Sequence, residues 1–207
     1  MKVLLIFLFI LSIYLIIDGG THMAVKSTAN SLSGLYFLKN FYSNNRSLTT
    51  SSNRKKCNNS ELSYEDSLAL GRAVKKLKSF SYSSSENSDT INGAIKAFVE
   101  TYNNTLTSAS GSSNSDVSRQ AKRFKKYTDD NADALKKIGI TVKSDGSLSC
   151  SENLLKKADI EDLKSAFGKD NKYLQNLSRT AKRLNSESYD YLYRQMTGTG
   201  GNINLSL

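Results

Sequence analysis

The chain contains no proline and no tryptophan, and it has one histidine and two cysteines among its 207 residues. Because proline interrupts helices, its absence favours long, continuous helices. One histidine and two cysteines are too few ligands for a dedicated zinc site. No nucleophile, base and orienting group can be assembled from this set of side chains. We therefore expect no metal, no cofactor, no small-molecule substrate and no enzymatic activity.

Positive charge is what the chain has in excess. Its 29 Lys and Arg against 19 Asp and Glu give a net charge of +10. Such a charge attracts polyanions such as nucleic acid, anionic lipid or an anionic cell wall. Aromatics interleaved with a basic cluster at Phe124 and Tyr127 are typical of nucleic-acid binding. However, Phe124 belongs to the apolar stripe of its predicted helix, and no recognition motif is present. Nucleic-acid binding is therefore disfavoured.

The first segment is an apolar leader, residues 1–22. Its apolar run, residues 3–17, is shorter than the roughly 20 residues of a membrane span. It also lacks the small-residue cleavage motif of a signal peptide. A third interpretation is a false upstream start, because Gly19 and Gly20 can be encoded by a ribosome-binding sequence that precedes Met23. Anchor, signal peptide and false start all stay open.

The remainder predicts a mainly α protein, an antiparallel helical bundle with one small β-hairpin near residues 140–149. Asp145 and Gly146 form the hairpin turn, since both positions tolerate positive φ. Ser63 and Asp66 resemble a capping box at the start of a helix. The predicted segments are a short helix within 23–42, a Ser/Asn-rich loop or disordered linker over 43–60, long helices near 63–80, 89–106, 115–138 and 170–196, and short helices over 151–158 and 159–167.

These segments divide the chain into four parts. The leader is followed by an N-terminal segment with its linker over residues 23–60, a helical domain over 61–196 and a flexible tail over 197–207. The last long helix repeats its apolar residues close to every 3.5 positions, which is typical of a coiled-coil seam. This seam is the predicted oligomerisation surface. Its residues are Leu174, Leu177, Ala181, Leu184 and Leu192.

Two stretches of the chain carry a family resemblance. The first runs from Ala94 to Asn103 and contains a Phe-Val pair followed by Tyr-Asn. The second runs from Leu135 to Leu148 as a helix, an Ile-Gly-Ile-Thr strand, an Asp-Gly turn and a short strand, with small helices after it. In this order they resemble the C-terminal region of the flagellar filament-capping protein, flagellar hook-associated protein 2, over about residues 94–168. Members of that family are longer and carry large β-rich domains that are missing here.

The resemblance implies a helical protein that is secreted without a cleaved signal and assembles by helix bundling. Its partners would be copies of itself or flagellar axial proteins. Its location would be extracellular, or the bacterial flagellum, if translation starts at Met23. The resemblance also implies a shared structural core. The expected core residues are Phe98, Val99, Tyr102, Leu135, Ile138, Ile140, Leu148 and Leu155.

The alternative function is a membrane-anchored or secreted basic protein that binds an anionic surface, with residues 3–17 as the anchor. Cys57 and Cys150 form either two free thiols or, in a secreted protein, a disulfide. The sequence leaves both questions open.

Overall fold

The computed structural model describes residues 31–198. It is mainly α with one two-stranded sheet, which confirms the predicted fold class. The elements in chain order are α1 (Leu32–Phe41), a 3-10 turn (Arg46–Thr49), α2 (Ser51–Arg54), α3 (Asn59–Lys78), α4 (Ser88–Ser110), α5 (Ser115–Asp129), α6 (Ala132–Lys137), β1 (Ile140–Val142), β2 (Leu148–Cys150), α7 (Glu152–Lys156), α8 (Ile160–Phe167) and α9 (Lys172–Thr197).

Four helices, α3, α4, α5 and α9, pack side by side with alternating direction. The start of α3 meets the end of α4, where the Asn59 side-chain amide donates to the Gly111 carbonyl at 2.7 Å. In the same way, Gln120 in the first half of α5 donates to Glu187 in the second half of α9 at 2.9 Å. The result is an up-down-up-down bundle.

The central helix of the molecule is α4. Nine successive residues of this helix, 91–99, are buried. A helix that is buried all round must be covered on every side. Here α3 and α5 cover two sides, while α1, β2 and α7 cover the others. Gly93 allows the close approach of α1, because a Cβ at this position would collide with Ser33.

The hairpin is fixed to α4 by Asn103, the second residue of the Tyr-Asn pair. β1 and β2 are antiparallel, with Val142 opposite Leu148. The Asn103 side chain donates to the Leu148 carbonyl and accepts from the Leu148 amide, both at 2.8 Å. Gly146 in the turn has a φ of +83°, which favours glycine. All eight expected core residues are buried, and two of them, Ile140 and Leu148, lie in these strands.

Three helices differ from the sequence-based prediction. α4 continues to Ser110 instead of ending near residue 106, and Ser108 and Ala109 in this extension are buried. α3 begins four residues earlier, because Asn58 and Glu61 form the capping box in place of Ser63 and Asp66. The helix predicted over 115–138 is divided into α5 and α6 at Asn131. Its side chain donates to the Tyr127 carbonyl at 2.8 Å and thus competes with the backbone for that acceptor.

A buried carboxylate holds the segment that precedes α3. Asp66 in α3 is fully buried and accepts two hydrogen bonds of 2.8 Å from the guanidinium of Arg54 in α2. The hydroxyls of Tyr42 and of Ser108 in α4 also donate to this carboxylate, each at 2.7 Å. Four parts of the chain therefore meet at Asp66.

This cluster explains why residues 43–60 are not the predicted loop or disordered linker. They form the 3-10 turn, α2 and the start of α3. The prediction rested on a Ser/Asn-rich composition that buries little apolar surface. Leu48 is nevertheless buried. Leu48 and the Arg54–Asp66 pair attach this segment to the bundle, so its order depends on contacts with residues outside the segment.

Two predicted segments lie largely outside the described residues. They are the leader, residues 1–22, and the tail, of which only residues 197 and 198 are described. Among the helices of residues 31–198, none combines the length and the hydropathy of a membrane span.

Replacing Asp66 by Asn should lower the free energy of unfolding by about 3–5 kcal/mol, because Arg54 then remains buried without a carboxylate. Urea denaturation followed by circular dichroism measures the loss. The matched control is Asp170→Asn, at an exposed residue with no ion pair in the described part of the chain. It should change stability by about 0.5 kcal/mol or less. Equal losses in the two variants would contradict the role of Asp66.

Alkaline pH should unfold the protein through its buried tyrosines. Burial raises the pKa of Tyr42, Tyr82, Tyr102 and Tyr173 above the ordinary value. Above about pH 10 these groups lose protons in the unfolded chain but not in the folded one. Stability is therefore unaffected by them below about pH 10 and falls above it, by up to about 1.4 kcal/mol per pH unit for each tyrosine.

The measurement is tyrosinate absorbance, recorded together with circular dichroism during an alkaline titration. Four of the eleven tyrosines should ionise only as the helices unfold. Ionisation of all eleven while the helical signal persists would contradict this prediction.

Candidate interaction surfaces

The two cysteines differ in their surroundings. Both are free thiols in the structure. Cys57 donates to the Asn53 carbonyl at 3.9 Å, and the neighbouring Arg54 is engaged by Asp66. Burial raises the pKa of Cys150 to about 11, so this thiol stays protonated at neutral pH. Across residues 31–198, no three His, Cys, Asp or Glu side chains gather as metal ligands would.

The predicted oligomerisation seam lies inside the bundle. Leu174, Leu177, Ala181 and Leu184 are buried against the other helices of the same chain, and Leu192 is half-buried. This corrects the sequence-based prediction, because these four side chains are not accessible to a second copy of the folded chain. A heptad-like repeat serves an intramolecular bundle as well as a coiled coil, so the spacing alone does not distinguish them.

The exposed part of α9 is its C-terminal end. None of the described residues after Ser188 is buried. Tyr189, Tyr193 and Met196 are 54%, 56% and 86% exposed. Their spacing of four and three residues places them on one face of the helix. We call these three residues the α9 stripe.

The α9 stripe is partly ordered by ring contacts. The rings of Tyr189 and Tyr193 stack with centroids 6.3 Å apart, and the ring of Tyr64 in α3 lies 6.1 Å from that of Tyr189. Asp190 and Arg194 are exposed and lie one turn apart on one flank of the stripe. The end of α9 is thus a helix face that is aromatic, flanked by opposite charges and without a cover among the described residues.

A second open surface is the groove between α3 and α9, with a volume of about 850 Å³. Small residues from both helices line it, among them Ser67 and Gly71 of α3 and Ser178 and Ala181 of α9. A Cβ added to Gly71 meets no other atom within 4 Å, so the space above this residue is open. We call this surface the α3–α9 groove.

The α3–α9 groove is strongly basic. None of its fourteen lining residues is acidic, and five are basic. Arg72 donates to the Phe41 carbonyl at 2.7 Å and to the Asn44 side chain at 2.8 Å, which ties it to the end of α1. The four lysines form no ion pair with any residue in the described part of the chain. They are Lys75, Lys78, Lys169 and Lys182.

Neither surface is evident from the sequence directly. Lys75 and Lys182 lie on separate helices about a hundred positions apart, and nothing in the sequence indicates that they share a groove. The α9 stripe could have been found from its helical spacing. Phe124 is buried, with its ring 6.3 Å from that of Tyr102, as its place in the apolar stripe indicated.

No family model, no curated protein and no solved structure matches the chain.

Proposed function

We propose that the chain is a structural assembly protein that associates through its helices with copies of itself or with flagellar axial proteins. The α9 stripe is the observation that carries this proposal. A helix end that presents two tyrosines and a methionine to solvent is typical of a surface that packs against another helix. The resemblance of α4 and of the α6–hairpin region to flagellar hook-associated protein 2 supports the same class of function.

A second copy of the chain fits the α9 stripe by charge. Two α9 helices related by a twofold axis that is perpendicular to them and passes near Leu192 run antiparallel and bring the same flank of each helix together. Asp190 of each copy then lies opposite Arg194 of the other. The stripe is small compared with a standard interface, so a single pair should be weak, with a dissociation constant on the order of 0.1–1 mM. Many such pairs in an assembly would strengthen one another.

Sedimentation velocity of the full-length protein over a range of concentrations tests this pairing. Wild type should show reversible self-association, and the double variant Tyr189→Ser/Tyr193→Ser should stay monomeric. The matched control is Tyr36→Ser, which removes an equally exposed tyrosine from α1 and should associate like wild type.

A charge exchange distinguishes specific pairing from nonspecific association. Asp190→Arg should abolish association, because it places arginines opposite each other. The double variant Asp190→Arg/Arg194→Asp should restore it, because opposite charges face each other again. Association that is unchanged in Asp190→Arg, or that is absent in wild type at millimolar concentration, would contradict pairing through this stripe.

The flagellar part of the proposal is tested in the cells that produce the protein. Intact mass and N-terminal sequencing of the native chain from pellet, medium and sheared filaments give its location and its start. A chain that begins at Met23 or Ala24 and is recovered with sheared filaments is the expected result. A full-length chain retained in the membrane fraction would contradict it and favour the membrane-anchored alternative.

A further inference from the structure

The α3–α9 groove has the dimensions of a helix-binding site. Its α3 edge extends from Ser67 to Ser79, which is about 18 Å at about 1.5 Å per residue. Packed helices normally lie about 8–10 Å apart, and small side chains at the contact allow the closer spacing. Gly71 and Ser178 are half-buried and provide such contacts, while Ser67 and Ala181 are buried beneath them. A third helix could therefore lie along α3 and α9.

The charge of the groove defines the chemistry of its occupant. Four lysines without ion pairs in the described structure, together with Arg72, surround a floor that has no carboxylate. Positive charges gathered on one surface repel one another, and this repulsion is relieved when an acidic partner binds. We propose that the α3–α9 groove binds an acidic amphipathic helix of a partner protein.

Other polyanions fit this groove less well. Single-stranded nucleic acid binds through bases stacked on aromatic side chains, and none of the lining residues is aromatic. A membrane surface requires large exposed apolar side chains beside the lysines. The only large aliphatic residues here are Leu68 and Val74, of which Val74 is buried.

This inference goes beyond the proposed function and does not depend on it. On the α9 side, the groove is lined by Lys169 just before the helix and by residues between Ser178 and Ser186, whereas the α9 stripe begins at Tyr189. If the protein does not self-associate through the α9 stripe, the groove proposal still stands. If the groove does not bind an acidic helix, self-association through the stripe still stands.

Fluorescence anisotropy tests the proposal with the full-length protein. The probe is a labelled helical peptide of Ala, Leu and Glu, about 14 residues long, and its counterpart carries Lys in place of every Glu. The Glu peptide should bind, with an affinity that falls as salt is added. The Lys peptide should not bind.

Substitutions at Gly71 test whether the peptide occupies the groove. Gly71→Trp adds a large side chain at a position where the Cβ meets no other atom within 4 Å, and it should weaken binding at least about tenfold. Gly71→Ala adds only a methyl group in the same space and should bind nearly as well as wild type. Circular dichroism and thermal unfolding verify that both variants keep the fold.

Charge reversal tests the lysines. Lys75→Glu/Lys182→Glu should weaken binding of the Glu peptide at least about tenfold. The matched control, Lys136→Glu/Lys143→Glu, changes the net charge equally at exposed residues outside the groove. It should weaken binding only slightly.

Three outcomes would overturn the proposal. One is an equal loss of affinity in the groove variant and in its charge-matched control, which would mean that net charge alone attracts the peptide. Another is Glu-peptide binding that is unaffected by Gly71→Trp. The third is tighter binding of a DNA oligonucleotide or of phosphatidylglycerol vesicles, lost in the same Gly71→Trp variant, which would assign the groove to a different class of partner.

Discussion

The burial of α4 on all sides is the constraint on which the rest of the structure depends. Nine successive buried residues, 91–99, need cover in every direction, and no pair of helices can supply it. α1, α3, α5 and the hairpin region are therefore all committed to α4. α9 then covers α3 and α5. No helix among the described residues remains to cover the outer side of the α3–α9 pair, which is where the groove lies.

Buried polar groups decide which segments join this core. The Asp66 carboxylate, which accepts from Arg54, Tyr42 and Ser108, brings the polar segment before α3 into the bundle. Asn103 does the same for the hairpin by pairing with both backbone groups of Leu148. Such groups are costly when unpaired and therefore specify one arrangement. Hydrophobic burial supplies the stability of the bundle, and these polar contacts fix the order of its parts.

The sequence predicts the helices and the hairpin better than it predicts which of them contact one another. Helical spacing found α3, α4 and α9 to within a few residues, and the Asp-Gly turn found the hairpin, because both signals are local. The order in residues 43–60 depends on Asp66, which lies outside that segment and resembles a capping residue in the sequence. The spacing of the seam through Leu177 does not tell which chain supplies the opposite helix, so the sequence alone also fits a second copy. The groove combines lysines of two distant helices, so only the fold reveals it.

We expect other helices to cover the α3–α9 groove and the α9 stripe in the native assembly. Chemical footprinting tests it most directly, by comparing acetylation of lysines and iodination of tyrosines in the purified chain and in the complex isolated from its own cells. We predict that Lys75, Lys182 and Tyr193 become protected in the complex, whereas exposed Lys136 and Lys143 react equally in both samples. If each of these five residues reacts equally in the purified chain and in the complex, neither surface is covered.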